Sequence, residues 1–136
     1  GDGLCEILEL GWEKEHRVHR CSGKWSIRQT IAFAQQADMV IGPETGLLNA
    51  VSMDDVPKVC LLSHSSKENL TKHWVNTSTI EPVNTHCFPC HKLHLSGFRT
   101  CNRDEETGAS ICAASIEPHT VFNAVVDHKL ELRKSA

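Results

Sequence analysis

Two groups of residues in this chain have types and spacing that could do chemistry. The first is "GPETG", Gly42 to Gly46, placed where the apolar run "MVI" ends and a helical pattern begins. Thr45 can cap that helix, which leaves the N–H groups of Gly46, Leu47 and Leu48 free at its first turn. Such a turn offers donors and the positive end of the helix dipole to an anion such as a phosphate. Gly46 carries no side chain, so a phosphate can approach the backbone closely. Asn49 lies four residues beyond Thr45 and can reach the same ligand. Glu44 sits at the mouth, where a carboxylate repels phosphate but accepts hydrogen bonds from sugar hydroxyls. The plain alternative is a strand-to-helix turn with Thr45 as its cap, and on spacing alone that is the commoner use of these residues.

The second group is "CFPCHKLHLSGFRTCNRDEETGASIC". Cys87-x-x-Cys90 puts two thiols on one tight turn, the knuckle that suits tetrahedral Zn²⁺. Cys101 and Cys112 complete a set of four soft ligands, and His86, His91 and His94 are substitutes for any Cys not used. Residues 84–114 hold few large apolar side chains, so a structural zinc would supply the cross-link that burial cannot. The alternatives are thiols packed as small hydrophobes and disulfides formed in air. A redox Cys-x-x-Cys normally opens a helix after a strand, and Pro89 fits that poorly. Cys60, inside an apolar strand pattern, reads as core; Cys5 and Cys21 carry no signal.

Lys24 in "GKWS" looks like the tail of a phosphate-binding P-loop, but the full spacing needs Gly at position 18, where Val18 stands. The P-loop reading fails on that residue.

The elements that must position these groups follow from periodicity. Leu4, Ile7 and Leu8 share helical spacing and Gly11 can stop them, giving the end of a helix over residues 2–10. "HRVHRC" is a short strand candidate anchored only by Val18. Ser26 and Gln29 form a capping-box pattern, and Ile27, Ile31 and Ala34 then share one helix face, with Phe33 and Ala37 beside it. "MVIG" and "PKVCLL" are continuously apolar, the mark of parallel strands buried on both faces, with Pro57 confined to the first position of the second. Between them residues 45–53 read as a short helix. "SHSSKEN" is a polar loop just past a strand's carboxyl end, and "TIEPV" is a last short strand. Pro118 suits a helix's first turn, with Val121, Phe122, Val125 and Val126 as its apolar stripe, and the residues beyond Val126 fray into solvent.

Strand–helix–strand alternation with apolar strands implies an α/β parallel sheet, and 136 residues suffice for one domain. Three or four strands and a start inside a helix pattern give a partial domain over 1–136. Residues 1–83 and 115–136 form its α/β part, and 84–114 a Cys-rich segment. Apolar content of 40%, charged content of 23% and a net charge of −3 are ordinary for a soluble protein. Lys and Arg are scattered, which argues against nucleic acid. No apolar run approaches the ~20 residues of a membrane helix, and the first twenty residues lack a signal peptide's layout. The expectation is a cytoplasmic, reducing setting, where seven Cys, an odd number, are not a disulfide framework.

Taken together, "GKWSIRQTIAFAQQADMVIGPETGLLNAVSMDDVPKVCLL" resembles the donor-binding region of heptosyltransferase-like glycosyltransferases, carbohydrate-active enzyme family nine. Gly23, Lys24, Ser26 and Ile27 match the family's Gly-Lys-Thr-Ser-Leu-like start, and Ala37, Asp38, Val40, Ile41 and Gly42 its Ala-Asp-x-Val-Ile-Gly strand. Thr45, Gly46 and Leu47 match the Asp-Ser/Thr-Gly-Leu-x-His turn, and Pro57 and Val59 the Pro-x-Val strand. "ENLTKHW", "CFPCHKLH" and "CAASIEPHTVFNAV" are similar to its Cys-bearing members, so the likeness covers about residues 19–130. Glu44 stands where the family has Asp, and Asn49 where it has His. The resemblance implies GT-B architecture, two Rossmann-like domains, with this chain as the latter part of the C-terminal one.

By matching position, Thr45, Gly46 and Leu47 would contact a donor diphosphate, with Lys24 as a neighbour of the nucleotide. The implied reaction is transfer of a glycosyl unit, heptose being the family's example, from a nucleotide-diphosphate sugar to a glycan or lipid-linked acceptor, without a metal at the catalytic step. The acceptor-side domain and general base would lie upstream, so the chain alone is not expected to catalyse. The rival expectation is a non-catalytic, zinc-stabilised module that holds a missing N-terminal domain or a second copy through an open sheet edge.

Overall fold

The computed structural model describes residues 7, 10–92 and 101–134, the side chains of 129–134 excepted. Most of the helix expected over residues 2–10, together with Cys5 and His94, lies outside the described residues. Within them the order is α1 (Ile27–Ala34), β1 (Val40–Pro43), α2 (Gly46–Ala50), β2 (Lys58–Leu61), β3 (Thr77–Ile80), α3 (Ile111–Ala114) and α4 (Pro118–Lys134). The three strands form one parallel sheet in the order β1-β2-β3, with Val40 opposite Lys58 and Lys58 opposite Thr77. The α/β parallel sheet expected from the apolar runs is present at that level.

The register sorts side chains onto two faces, because successive residues of a strand point to opposite sides. Val40, Gly42, Lys58, Cys60 and Leu62 share the face covered by α2. Leu48 of α2, Cys60 and Leu62 form a buried cluster flanked by Val40, Leu70, Trp74 and Phe88. Ala34 of α1 joins Val51 and Val56 in a second cluster with Ile31, Val40 and Leu47. On the other face α4 packs against β3 and β2, and His128 Nε2 meets Ser78 Oγ at 3.0 Å. Helices on both faces explain why β2 is apolar beyond Lys58: Val59 and Cys60 are fully buried.

Several sequence expectations shift for physical reasons. β1 is not buried on both faces: Ile41 is 48% exposed, because α4 lies over β3 and β2. "HRVHRC" forms no strand. The chain there turns, with Val18 N–H donating to Glu15 O and Arg17 paired to the Glu15 carboxylate, since Val18 alone cannot anchor a ladder. The capping box at Ser26 and Gln29 closes in both directions, yet Ile27 and Phe33 stay exposed, and Phe33 packs against Trp25 with the rings tilted by 53° and their centroids 4.8 Å apart. β3 ends at Ile80, so "EPV" lies past the strand. α4 starts at Pro118 as expected, but Phe122 and Val126 face out while His128 is buried.

Lys58 is the polar exception in the core. It is fully buried, and Nζ donates to the carbonyls of Asp54 and Val56, each at 2.7 Å. Burial holds its ammonium below the usual lysine range, opposed by the nearby charges of Asp54 and Asp55. The lysine thereby ties the turn that feeds β2 to the strand itself.

Candidate functional site

In a parallel sheet the loops that leave the carboxyl ends of neighbouring strands lie side by side, which is where open α/β sheets bind ligands. Here those loops begin at Glu44 after β1, at Leu62 after β2 and at Glu81 after β3. The register pairs Pro43 with Leu61, so Glu44 emerges next to the first residues of the β2 loop. Its side chain is only 4% exposed. Oε1 accepts the backbone N–H groups of Ser63 at 2.9 Å, His64 at 3.2 Å and Ser65 at 3.0 Å. Oε2 is buried and lies against His64 Nδ1. From the other side Glu81 Oε1 accepts the N–H of Lys67 at 2.8 Å. Two carboxylates, each one residue past a flanking strand, therefore clamp the loop of the central strand.

This arrangement gives Glu44 a different position from the one its place in the sequence suggests. The carboxylate is spent on backbone amides and an imidazole, with its charge met inside the protein and not offered at the mouth. The same charge reaches the core. Burial first and Glu44 second push the Cys60 thiol up to about 11.

The remaining turn residues stay open. Thr45 is exposed and holds the N-cap position of α2 in an extended conformation, but its side chain makes no capping hydrogen bond. Gly46 is exposed, and a Cβ built there meets nothing within 4 Å. Leu47 is half-buried against the α1 cluster. Asn49 is exposed and its Nδ2 donates to the Thr45 carbonyl at 2.9 Å, which draws the amide back along α2. Lys24 is exposed in a turn closed by its N–H on Cys21 O, and its side chain makes no bond to the Gly42–Gly46 turn.

His64 is what the sequence did not single out at this edge, and His91, read from the sequence only as a substitute metal ligand, joins it there. The segment carrying the Cys87-x-x-Cys90 knuckle docks here: Phe88 packs on the Leu48 cluster, and His91 N–H donates to His64 O at 2.8 Å. Asn69 Nδ2 lies 3.4 Å from His91 Nε2. Nothing in "SHSSKEN" by itself separates His64 from any loop histidine. The available signal was positional, a histidine three residues past one buried strand and a glutamate just past its neighbour. Beyond β3, a cleft of about 410 Å³ opens between the strand's end and the start of α4, lined among others by Glu81, Asn84, Glu117 and His119.

The four cysteines fall on different surroundings. Cys87 is exposed, Cys90 and Cys101 are half-buried, and Cys112 is buried on α3 with Sγ 3.3 Å from Ser110 Oγ. Among the described residues no three His, Cys, Asp or Glu side chains stand together as ligands to a metal would. A structural zinc thus rests on the spacing of the cysteines alone. Among the described residues no helix is long and apolar enough to cross a membrane. Compared with protein-family models, curated proteins and solved structures, the chain matches none.

Proposed function

We propose that this chain is the donor-binding part of a glycosyltransferase, holding a nucleotide-diphosphate sugar at the carboxyl edge of β1 and β2. The observation that carries the proposal is the clamp made by Glu44. It fixes the β1 turn and the β2 loop as one unit while leaving Thr45 and the bare backbone of Gly46 open beside it. A preformed edge of this kind binds without first ordering two loops, a cost that would otherwise be subtracted from affinity. In support, the cleft past β3 lies along the same edge and has the volume of a small-ligand site. The resemblance of residues 19–130 to heptosyltransferase-like enzymes gives the chemistry: diphosphate at Thr45, Gly46 and Leu47, and a glycosyl unit passed to a glycan or lipid-linked acceptor held by a separate domain.

Gly46→Val tests the placement. The backbone at Gly46 is not left-handed and nothing lies within 4 Å of an added Cβ, so the variant folds. A branched side chain there fills the space a phosphate would use. Calorimetry with ADP, UDP and GDP is expected to show binding by the wild type and loss of at least tenfold in affinity for Gly46→Val. Equal binding by both proteins contradicts the placement.

A further inference from the structure

We infer that Cys101 and Cys112 are a redox-sensitive pair, two thiols placed to close as a disulfide across a hairpin when a small disulfide of the glutathione type oxidises them. The inference stands apart from the proposed donor site. The hairpin runs from Asn102 to Ile111. Ile111 N–H donates to Asn102 O at 3.1 Å and Asp104 N–H to Ala109 O at 2.9 Å, with Arg103 and Ser110 as the antiparallel pair between them. Its tip is closed by Gly108 N–H on Asp104 O, with Gly108 in the left-handed region at φ +67°, and by Thr107 N–H and Oγ1 on Asp104 Oδ1. Bonds on both sides of Arg103 and Ser110 fix the register. One step outward from Asn102 and Ile111, that register sets Cys101 opposite Cys112.

Facing residues of an antiparallel pair share one face, and residues two apart along a strand share it too. α3 opens at Ile111, yet Cys112 keeps the face of Ser110, with its Sγ 3.3 Å from Ser110 Oγ. Cys101, two residues before Arg103, belongs to that face by alternation. Facing Cα atoms lie about 4.5–5.5 Å apart, within the ~4.4–6.8 Å that a disulfide spans. Both cysteines are thiols in the structure. Ser115 Oγ donates to Cys112 O at 2.9 Å and accepts the Val83 N–H at 3.1 Å, so Cys112 is held in place by the segment that follows β3.

Exposure orders the chemistry, because Cys101 is half-buried and Cys112 buried. The Cys101 thiolate attacks one sulfur of the oxidant, expels one small thiol and is left as a mixed disulfide. The Cys112 thiolate then attacks the Cys101 sulfur and expels the second small thiol. Two protons leave the cysteines, two electrons pass to the oxidant, and the oxidant's S–S bond is exchanged for one between Cys101 and Cys112. In a reducing setting such a bond is transient, formed under oxidation and reversed by excess thiol.

Peptide mapping of the full chain tests this, since tryptic cleavage after Arg103 puts the two cysteines on different peptides. The reduced protein is incubated with glutathione disulfide, alkylated, digested and read by mass spectrometry. Peptides joined through Cys101 and Cys112 are expected roughly tenfold or more above any other cysteine pairing, because a facing thiol captures the mixed disulfide within the molecule. Excess reduced glutathione should abolish them. Cys112→Ser should leave glutathione on Cys101, and Cys101→Ser should leave Cys112 unmodified; the wild-type map stands even if a variant fails to fold. Wild-type Cys101 carrying glutathione while Cys112 remains a thiol would overturn the inference, as would Cys112 joined to Cys87 or Cys90 as often as to Cys101.

Discussion

The carboxylate of Glu44, one residue past β1, accepts the backbone N–H of Ser63, two residues past β2, at 2.9 Å. This contact joins the turn after β1 to the loop after β2, and the His64 and Ser65 amides repeat it on the same oxygen. Glu44→Ala would leave three N–H groups without their acceptor. We expect a loss of roughly 3 kcal/mol or more, since one unmade buried hydrogen bond costs about 1–3 kcal/mol and the carboxylate is charged. Urea unfolding gives the total, and amide exchange shows where it falls. Faster exchange confined to residues 63–65 fits the clamp, whereas an unchanged unfolding midpoint contradicts it.

Cys60 reports the same charge from inside the core. Its thiol is raised from the ordinary 9.0 to about 11, so the folded state keeps the proton that the unfolded chain loses. Stability from this group is complete below pH 9 and is lost as pH rises toward 11. Cys60→Ala should remove that alkaline decline, read as the difference between the two proteins' unfolding midpoints at pH 8 and pH 10. In native protein an alkylating agent should reach exposed Cys87 first and buried Cys60 and Cys112 only on unfolding. If added Zn²⁺ protects Cys87 and Cys90 together, the structural-zinc proposal gains its first support; alkylation indifferent to Zn²⁺ counts against it.

Lys58 makes a stability prediction at the opposite end of β2. Lys58→Met keeps the length of the side chain but strips the Asp54 and Val56 carbonyls of their donor. Relief from burying a charge offsets part of this, and the net expectation is destabilisation of roughly 1–3 kcal/mol. Because burial lowers the Lys58 ammonium, the wild type recovers stability as pH rises from that lowered value toward the ordinary 10.5, and the variant should not. A variant as stable as wild type at pH 7 would show that the two carbonyls find other partners.

What the sequence made legible was whatever depends on local pattern. The capping box at Ser26, the apolar runs of β1 and β2, Pro57 ahead of its strand and Pro118 at the start of α4 all follow from spacing within a few residues. What it hid depends on which elements meet. Ile41 reads as core until the reach of α4 is known, and nothing in "PKVCLL" tells that the Lys58 ammonium is met by the Asp54 and Val56 carbonyls. Glu44 reads as a ligand-facing acid because its partners are nineteen to twenty-one residues away, in a loop with no pattern of its own. His128 is inside, bonded to Ser78, while Phe122 and Val126 face out, a rotation of α4 that its apolar pattern does not give.

The central claim is that a nucleoside diphosphate binds across the β1 turn and the β2 loop. Its most direct test is to titrate the isotope-labelled chain with ADP, UDP and GDP while following every backbone amide. The account predicts saturable shifts concentrated at residues 42–49 and 63–67 for at least one nucleotide, with the strand centres at Val59 and Ser78 unmoved. No saturable shift with any of the three, or shifts confined to residues far from those two loops, would contradict it.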